Sequence, residues 1–101
     1  MTVAVEICER KTARDVLRHA ALIIEERGWV QRVLSNAEGQ VCALGAIYTA
    51  ATGEAYGAPD RYCDEAAEAL SEHVGADIED WNDAQGRTAE QVIAALREAA
   101  R

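Results

Sequence analysis

Cys42-Ala-Leu-Gly-Ala-Ile-Tyr-Thr-Ala-Ala-Thr-Gly53 contains no charged residue, and its reading decides the fold. Ala43, Leu44, Ile47, Ala50 and Ala51 recur at helical spacing, while the other faces are also small or apolar. A helix that is apolar around its whole circumference is a buried helix. Gly53 supplies the stop. Gly45 lowers helix stability by about 1 kcal/mol relative to alanine, and a close backbone crossing at that point would explain it. The stretch is far shorter than the roughly 20 residues of a membrane span, so it reads as the centre of a globular fold.

The neighbouring segments supply what would surround it. Upstream, Thr12 stands three before Asp15 as a weak capping arrangement. Ala13, Val16, Leu17, Ala20, Ile23 and Ile24 then recur at helical spacing, and Gly28 ends the run, which predicts a helix over Ala13 to Arg27. Downstream, Pro59 stands where a helix can begin. The inner stripe Cys63, Ala66, Ala67, Leu70 and Val74 predicts a helix from about Pro59 to Val74, stopped by Gly75. Asp77 to Trp81 reads as one helical turn with Ile78 and Trp81 inward. Thr88 and Gln91 form a capping box for a last helix, Ala89 to about Ala100. Trp29 to Val41 is not helical by pattern. Ser35-Asn-Ala-Glu-Gly39 is a turn cluster, and the segment is either a small β-hairpin or an irregular loop. Val3, Val5 and Ile7 alternate as in a short strand.

The 101 residues amount to one domain, residues 1–101, with 1–11 as an N-terminal extension and 12–100 as the core. Alanine accounts for 21 residues, only 26 are large apolar ones and phenylalanine is missing, so the core must be close-packed from small side chains. The expected fold is mainly α: a compact four-helix domain around a buried central helix. No charged-then-apolar leader is visible, and a cytoplasmic location is expected. Cys8, Cys42 and Cys63 are an odd count without a C-x-x-C pair, which argues against a disulfide scaffold or a zinc knuckle.

The net charge of −8 is concentrated. Glu54 to Asp83 holds ten acids against Arg61 alone, whereas Met1 to Gly53 is neutral. Such a segment opposes binding to phosphate backbones and to anionic membranes, so neither nucleic acid nor membrane is an expected partner. A protein with a basic surface is compatible with it. The candidate contact surface is Asp64, Glu65, Glu68 and Glu72 with Asp77, Glu79 and Asp80. The plain alternative is a solvated face that keeps a small protein soluble.

Reaction chemistry finds little support. Cys42, at a helix start, has partial positive charge nearby that favours thiolate. A nucleophile also needs a base and an orienting group, for which His19, His73, Asn82 and Asp83 are the candidates. No local signature of a cysteine hydrolase is present, and a small buried core cysteine is the simpler reading. No H-x-x-x-H, P-loop or G-x-G-x-x-G occurs. Asp80 to Gln91 fails as a calcium loop, with Ala84 at the fifth position and Gln91 at the twelfth. No cofactor, metal or catalytic residue is therefore assigned. The densest polar cluster beside an aromatic is Trp81-Asn82-Asp83 with Arg87. With Trp29, Gln31 and Cys42 it would line a small-ligand pocket, one suited to a nucleotide-like signal. Otherwise Trp81 plugs the core, Asn82 or Asp83 closes the turn, and Arg87 pairs with Asp83 or a carbonyl.

Several motifs taken together carry a resemblance. Gly28-Trp29-x-Gln31, Gly39-x-x-Cys42-Ala43-Leu44-Gly45-Ala46-Ile47, Ile78-x-x-Trp81-Asn82-Asp83-x-x-Gly86-Arg87-Thr88 and Val92-x-x-x-Leu96 resemble a small domain family of actinobacteria and their phages. The resemblance spans roughly Val16 to Ala100. That family is one of unknown function, so it implies a compact helical fold and a phage or prophage setting, and no reaction. Nine arginines against one lysine, with abundant alanine, fit a high-GC genome. The leading expectation is a small acidic non-enzymatic protein that binds a host or regulatory macromolecule. The alternatives are a small-ligand protein and, third, a cysteine hydrolase. Alanine-rich faces also permit a homodimer.

Overall fold

The structure, a computed structural model, describes residues 12–58 and 60–101. Its element order is α1 (Ala13–Arg27), α2 (Ala43–Thr52), α3 (Arg61–Val74), α4 (Ile78–Asn82) and α5 (Ala89–Ala99). The strand expected at Val3 to Ile7 lies outside the described residues, as does Pro59.

Local chemistry sets the helix ends. Thr12 Oγ1 accepts from Asp15 N–H at 3.0 Å and starts α1. Gly28, at φ 98°, ends it, its N–H donating to the Ile24 carbonyl. Asp60 caps α3 by accepting from Cys63 N–H at 2.9 Å, so that helix begins two residues later than the position of the proline predicts. Asp77 caps α4 through the Glu79 and Asp80 amides. The capping box of α5 is complete: Gln91 N–H donates to Thr88 Oγ1 at 3.2 Å, and Thr88 N–H donates to Gln91 Oε1 at 3.1 Å.

The central position of α2 follows from its lack of charge. Seven of its ten residues are buried, with Ile47 fully so, and burying such a side chain contributes roughly 1.5–3 kcal/mol. Its one buried hydroxyl, Thr49, donates to the Gly45 carbonyl at 2.8 Å and leaves no orphan donor. On two sides α2 meets α1 and α3, and near its start it meets α4. The helix α5 packs on α1 and α3 instead. Another flank of α2 is closed by the 28–41 loop, whose Leu34 carbonyl lies against Gly45. A Cβ built on Gly45 would come within 3.0 Å of the Leu34 carbonyl carbon and closer still to its oxygen. The close backbone crossing expected from the sequence is therefore there, and the element that crosses is a loop.

That loop resolves the choice left open for Trp29 to Val41. Among the described residues it makes only isolated bridges, Trp29 with Val41 and Ser35 with Val41, and no ladder. Asn36 organises its tip: its Oδ1 accepts from the Glu38 and Gln40 amides at 3.1 and 3.0 Å. Tyr56 anchors it from the other side, its hydroxyl donating to the Ser35 carbonyl at 3.0 Å. None of the described helices is long and apolar enough to cross a membrane.

Candidate functional site

The loop and the chain after α4 are locked together by one buried side chain. Asn82, the last residue of α4, is 1% exposed. Its Oδ1 accepts from the Trp29 indole N–H at 2.7 Å and from the Ala43 backbone N–H at 3.0 Å. Ala43 is the first residue of α2, where a backbone donor has no partner inside the helix. Asn82 Nδ2 donates to the Val30 carbonyl at 3.3 Å and to Asp83 Oδ1 at 3.0 Å. One amide thus joins α4, the loop and the start of α2, with both its oxygen and its nitrogen fully engaged.

The surrounding polar residues extend this clasp. Gln31 Nε2 donates to the Asn82 and Ala84 carbonyls at 3.0 and 3.1 Å. Asp83 Oδ1 also accepts from Arg32 N–H at 2.8 Å. Arg32 is the one described non-glycine residue with positive φ, at 78°; an arginine held there stores local strain. Arg87 donates from Nε to the Trp81 carbonyl at 2.8 Å and stacks over the Trp81 ring at 4.2 Å. The carbonyl option for Arg87 is the one realised. Trp81 is half-buried and packs against the edge of the core, while Asn82 beside it is fully buried.

Beside the clasp are two adjoining hollows. The first, about 360 Å³, is walled by Arg32, Val33, Leu34 and Cys42 from the loop side, and by Asn82 and Asp83 behind α4. The second, about 330 Å³, lies between Tyr48 of α2 and Ala67, Glu68 and Ser71 of α3. Leu44, Ile78 and Glu79 belong to both walls, so the two hollows adjoin along these residues and together outline a trough. Of the ligand residues expected from the sequence, Cys42, Asn82 and Asp83 reach the first hollow. Trp29, Gln31, Trp81 and Arg87 line neither. Of the acids, Glu79 and Asp80 edge the first hollow, and Glu68, Asp77 and Glu79 the second. Asp64, Glu65 and Glu72 are exposed on α3 away from both. Sequence reasoning missed Arg32, Val33, Leu34 and Tyr48 as wall residues. It placed Leu44 in the buried stripe, whereas Leu44 is half-buried and floors the trough.

Cys42 is the N-cap of α2, just ahead of the first turn. Its Sγ accepts from Gly45 N–H at 3.3 Å. Burial pushes its pKa up; the Gly45 and Leu44 amides pull the other way, and the nearby charges of Asp83 and Glu79 add to the rise. Neither histidine lines the hollow that Cys42 lines, and His73 Nε2 is bonded to Glu98 at 3.0 Å. Among the described residues no histidine is placed beside this thiol as a base. Among the described residues no group of three acid, histidine or cysteine side chains could hold a metal.

A family model described as "Family of unknown function (DUF6197)" matches residues 9–101. The chain belongs to this family. No curated protein and no solved structure matches it. The assignment agrees with the expectation of a family of unknown function, and the geometry shows what the residues of the quoted motifs do in this chain. In this DUF6197 chain, Trp29 and Gln31 of the first motif grip Asn82 and its backbone from the third. The start of the second supplies the Ala43 amide and Gly45. The three motifs meet in one clasp.

The thiol's environment makes a pH prediction. The folded state holds the Cys42 proton to higher pH than the unfolded chain does. This stabilisation is complete below the unfolded thiol pKa, about 8.5, and is lost as pH rises through the higher folded value. Cys63, also raised chiefly by burial, acts in the same direction. Thermal unfolding followed from about pH 7 to pH 10 should therefore show stability falling on the alkaline side. Cys42→Ser, which keeps a capping oxygen, should fold normally and show a shallower alkaline decline. An identical decline in the variant would contradict this account of the thiol.

Proposed function

We propose that the domain is a non-enzymatic interaction module whose acidic α3–α4 face docks on a protein with a basic surface. The observation that carries this reading is that the acids of this face lack salt-bridge partners. Among the described residues none of Asp64, Glu65, Glu68, Glu72, Asp77, Glu79 and Asp80 makes an ion pair; the pairs are Arg18–Asp15, Arg97–Glu25 and His73–Glu98. Asp64, Glu68 and Glu72 repel at i,i+4 spacing by a few tenths of a kcal/mol per pair. A basic partner relieves that repulsion and is steered toward the face as it approaches. The motif resemblance favours a host or regulatory protein as the partner, in the cytoplasm of a phage-bearing cell.

A small-ligand function has less support. The first hollow is large enough, but specific small-molecule sites converge unengaged polar groups. Here the clasp engages its own, and no buried side-chain polar atom among the described residues is without a partner. The test of the interaction reading is affinity capture from a lysate of the source cell, with the wild type beside Glu68→Lys/Glu72→Lys. The wild type should retain a partner that the variant loses, and retention should weaken as salt is raised. Equal capture by both proteins would contradict the reading.

A further inference from the structure

We propose that the trough shared by the two hollows seats one amphipathic basic segment of such a partner, its apolar side chains on Leu44 and Ile78 and its Lys or Arg side chains at the acidic rim. This inference rests on the interaction reading and narrows it to a place and a chemistry.

The floor argues for the apolar half of that chemistry. Leu44 and Ile78 are common to both hollows, Val33 stands at one end 45% exposed, and Tyr48 and Ala67 stand at the other. The second hollow is lined mostly by apolar surface. In the first the Asn82 amide is engaged on both atoms and Cys42 serves its own helix, so the polar groups left to an occupant are the charged ones of Arg32, Glu79, Asp80 and Asp83. Contact in the second hollow is therefore mainly apolar, and in the first it is mixed. The rim argues for the other half. Glu79 and Asp80 edge one hollow, Asp77 and Glu68 the other, against Arg32 alone. A side chain with a long aliphatic stem and a cationic head satisfies floor and rim together. A helix presenting such residues at i, i+3, i+4 and i+7 is a recurrent way of filling a groove of this kind. An anionic occupant would meet the acids directly, and a purely hydrophilic basic one would leave the floor wet.

Three synthetic helical peptides serve as probes against the full-length, nitrogen-15-labelled chain: a Leu/Lys amphipath, a Leu/Glu counterpart and a Ser/Lys peptide with the charge of the first. The Leu/Lys peptide should bind at least tenfold more tightly than either of the others. Its largest amide shift changes should fall on Val33, Leu44, Ile78 and Glu79. Glu79→Gln/Asp80→Asn, both at exposed positions, should weaken it at least tenfold, and Leu44→Ser should weaken it separately, with the spectrum of each variant reporting that the fold is kept. Binding of Ser/Lys as tight as that of Leu/Lys would overturn the inference. So would shift changes confined to Asp64, Glu65 and Glu72 on α3, although that result would leave the broader reading of a basic partner standing. No binding by the Leu/Lys peptide would also overturn it.

Discussion

Replacing Asn82 with alanine is expected to lower the free energy of unfolding by about 3–5 kcal/mol, among the larger losses a single substitution produces. The side chain serves four partners: the Trp29 indole and Ala43 N–H donors, the Val30 carbonyl and the Asp83 carboxylate. A buried donor or acceptor left unmatched costs roughly 1–3 kcal/mol. The total stays below the sum of four because Trp29 and Asp83 are only half-buried and can recruit water. For a domain near this size the loss corresponds to a fall in Tm of more than roughly 12 °C. Asn82→Asp is the informative companion. It keeps an acceptor for Trp29 and Ala43, but turns a second oxygen toward the Val30 carbonyl and the Asp83 carboxylate. Its penalty relative to wild type should shrink in acid, where the new carboxyl can donate. Urea unfolding of the three proteins measures both effects. A loss below about 1 kcal/mol for Asn82→Ala would mean that the clasp is incidental.

The second large effect reverses the sign that helix propensity alone gives. Gly→Ala inside a helix ordinarily stabilises by roughly 0.5–1 kcal/mol. Gly45→Ala should instead destabilise by about 2 kcal/mol, the usual range for overpacking. The added Cβ meets the Leu34 carbonyl, which is backbone and cannot swing aside. That same carbonyl accepts from Cys42 N–H at 3.1 Å, so displacing it also loosens the cap of α2. Since Leu34 walls the first hollow, the variant should also weaken whatever occupies the trough. A Gly45→Ala variant at least as stable as wild type would show that the loop does not rest on the helix as described.

The parts of this molecule that could be read from sequence are those written in local pattern. The limits of α1 follow from Thr12, an apolar stripe and Gly28. The capping box of α5 follows from Thr88 and Gln91. The centrality of α2 follows from its lack of charge, and Gly45 announced a crossing without saying what crosses. What could not be read was long-range. Asn82 stands in a stretch of turn-forming residues, and nothing near it reveals a partner 53 residues away at Trp29 or 39 away at Ala43. The polar cluster therefore left a ligand pocket open as the alternative to a structural turn, and its mutual hydrogen bonds turn it into a clasp. The trough was hidden for a related reason. Leu44 carries no mark separating an apolar side chain that a neighbouring helix covers from one that nothing covers. Arg32 gave no signal either, because positive φ is foreign to arginine and is held there by Asp83.

In the Trp29–Asn82–Ala43 cluster the polar groups are engaged with one another and form closed structure. Hydrogen exchange at the Trp29 indole N–H and the Ala43 amide tests it most directly, because both donate to the same oxygen of Asn82. We predict that the two protons exchange slowly and together, with a free energy close to that of global unfolding. Exchange of either at the rate of a free peptide, while the amides of α1 and α2 remain protected, would contradict the account.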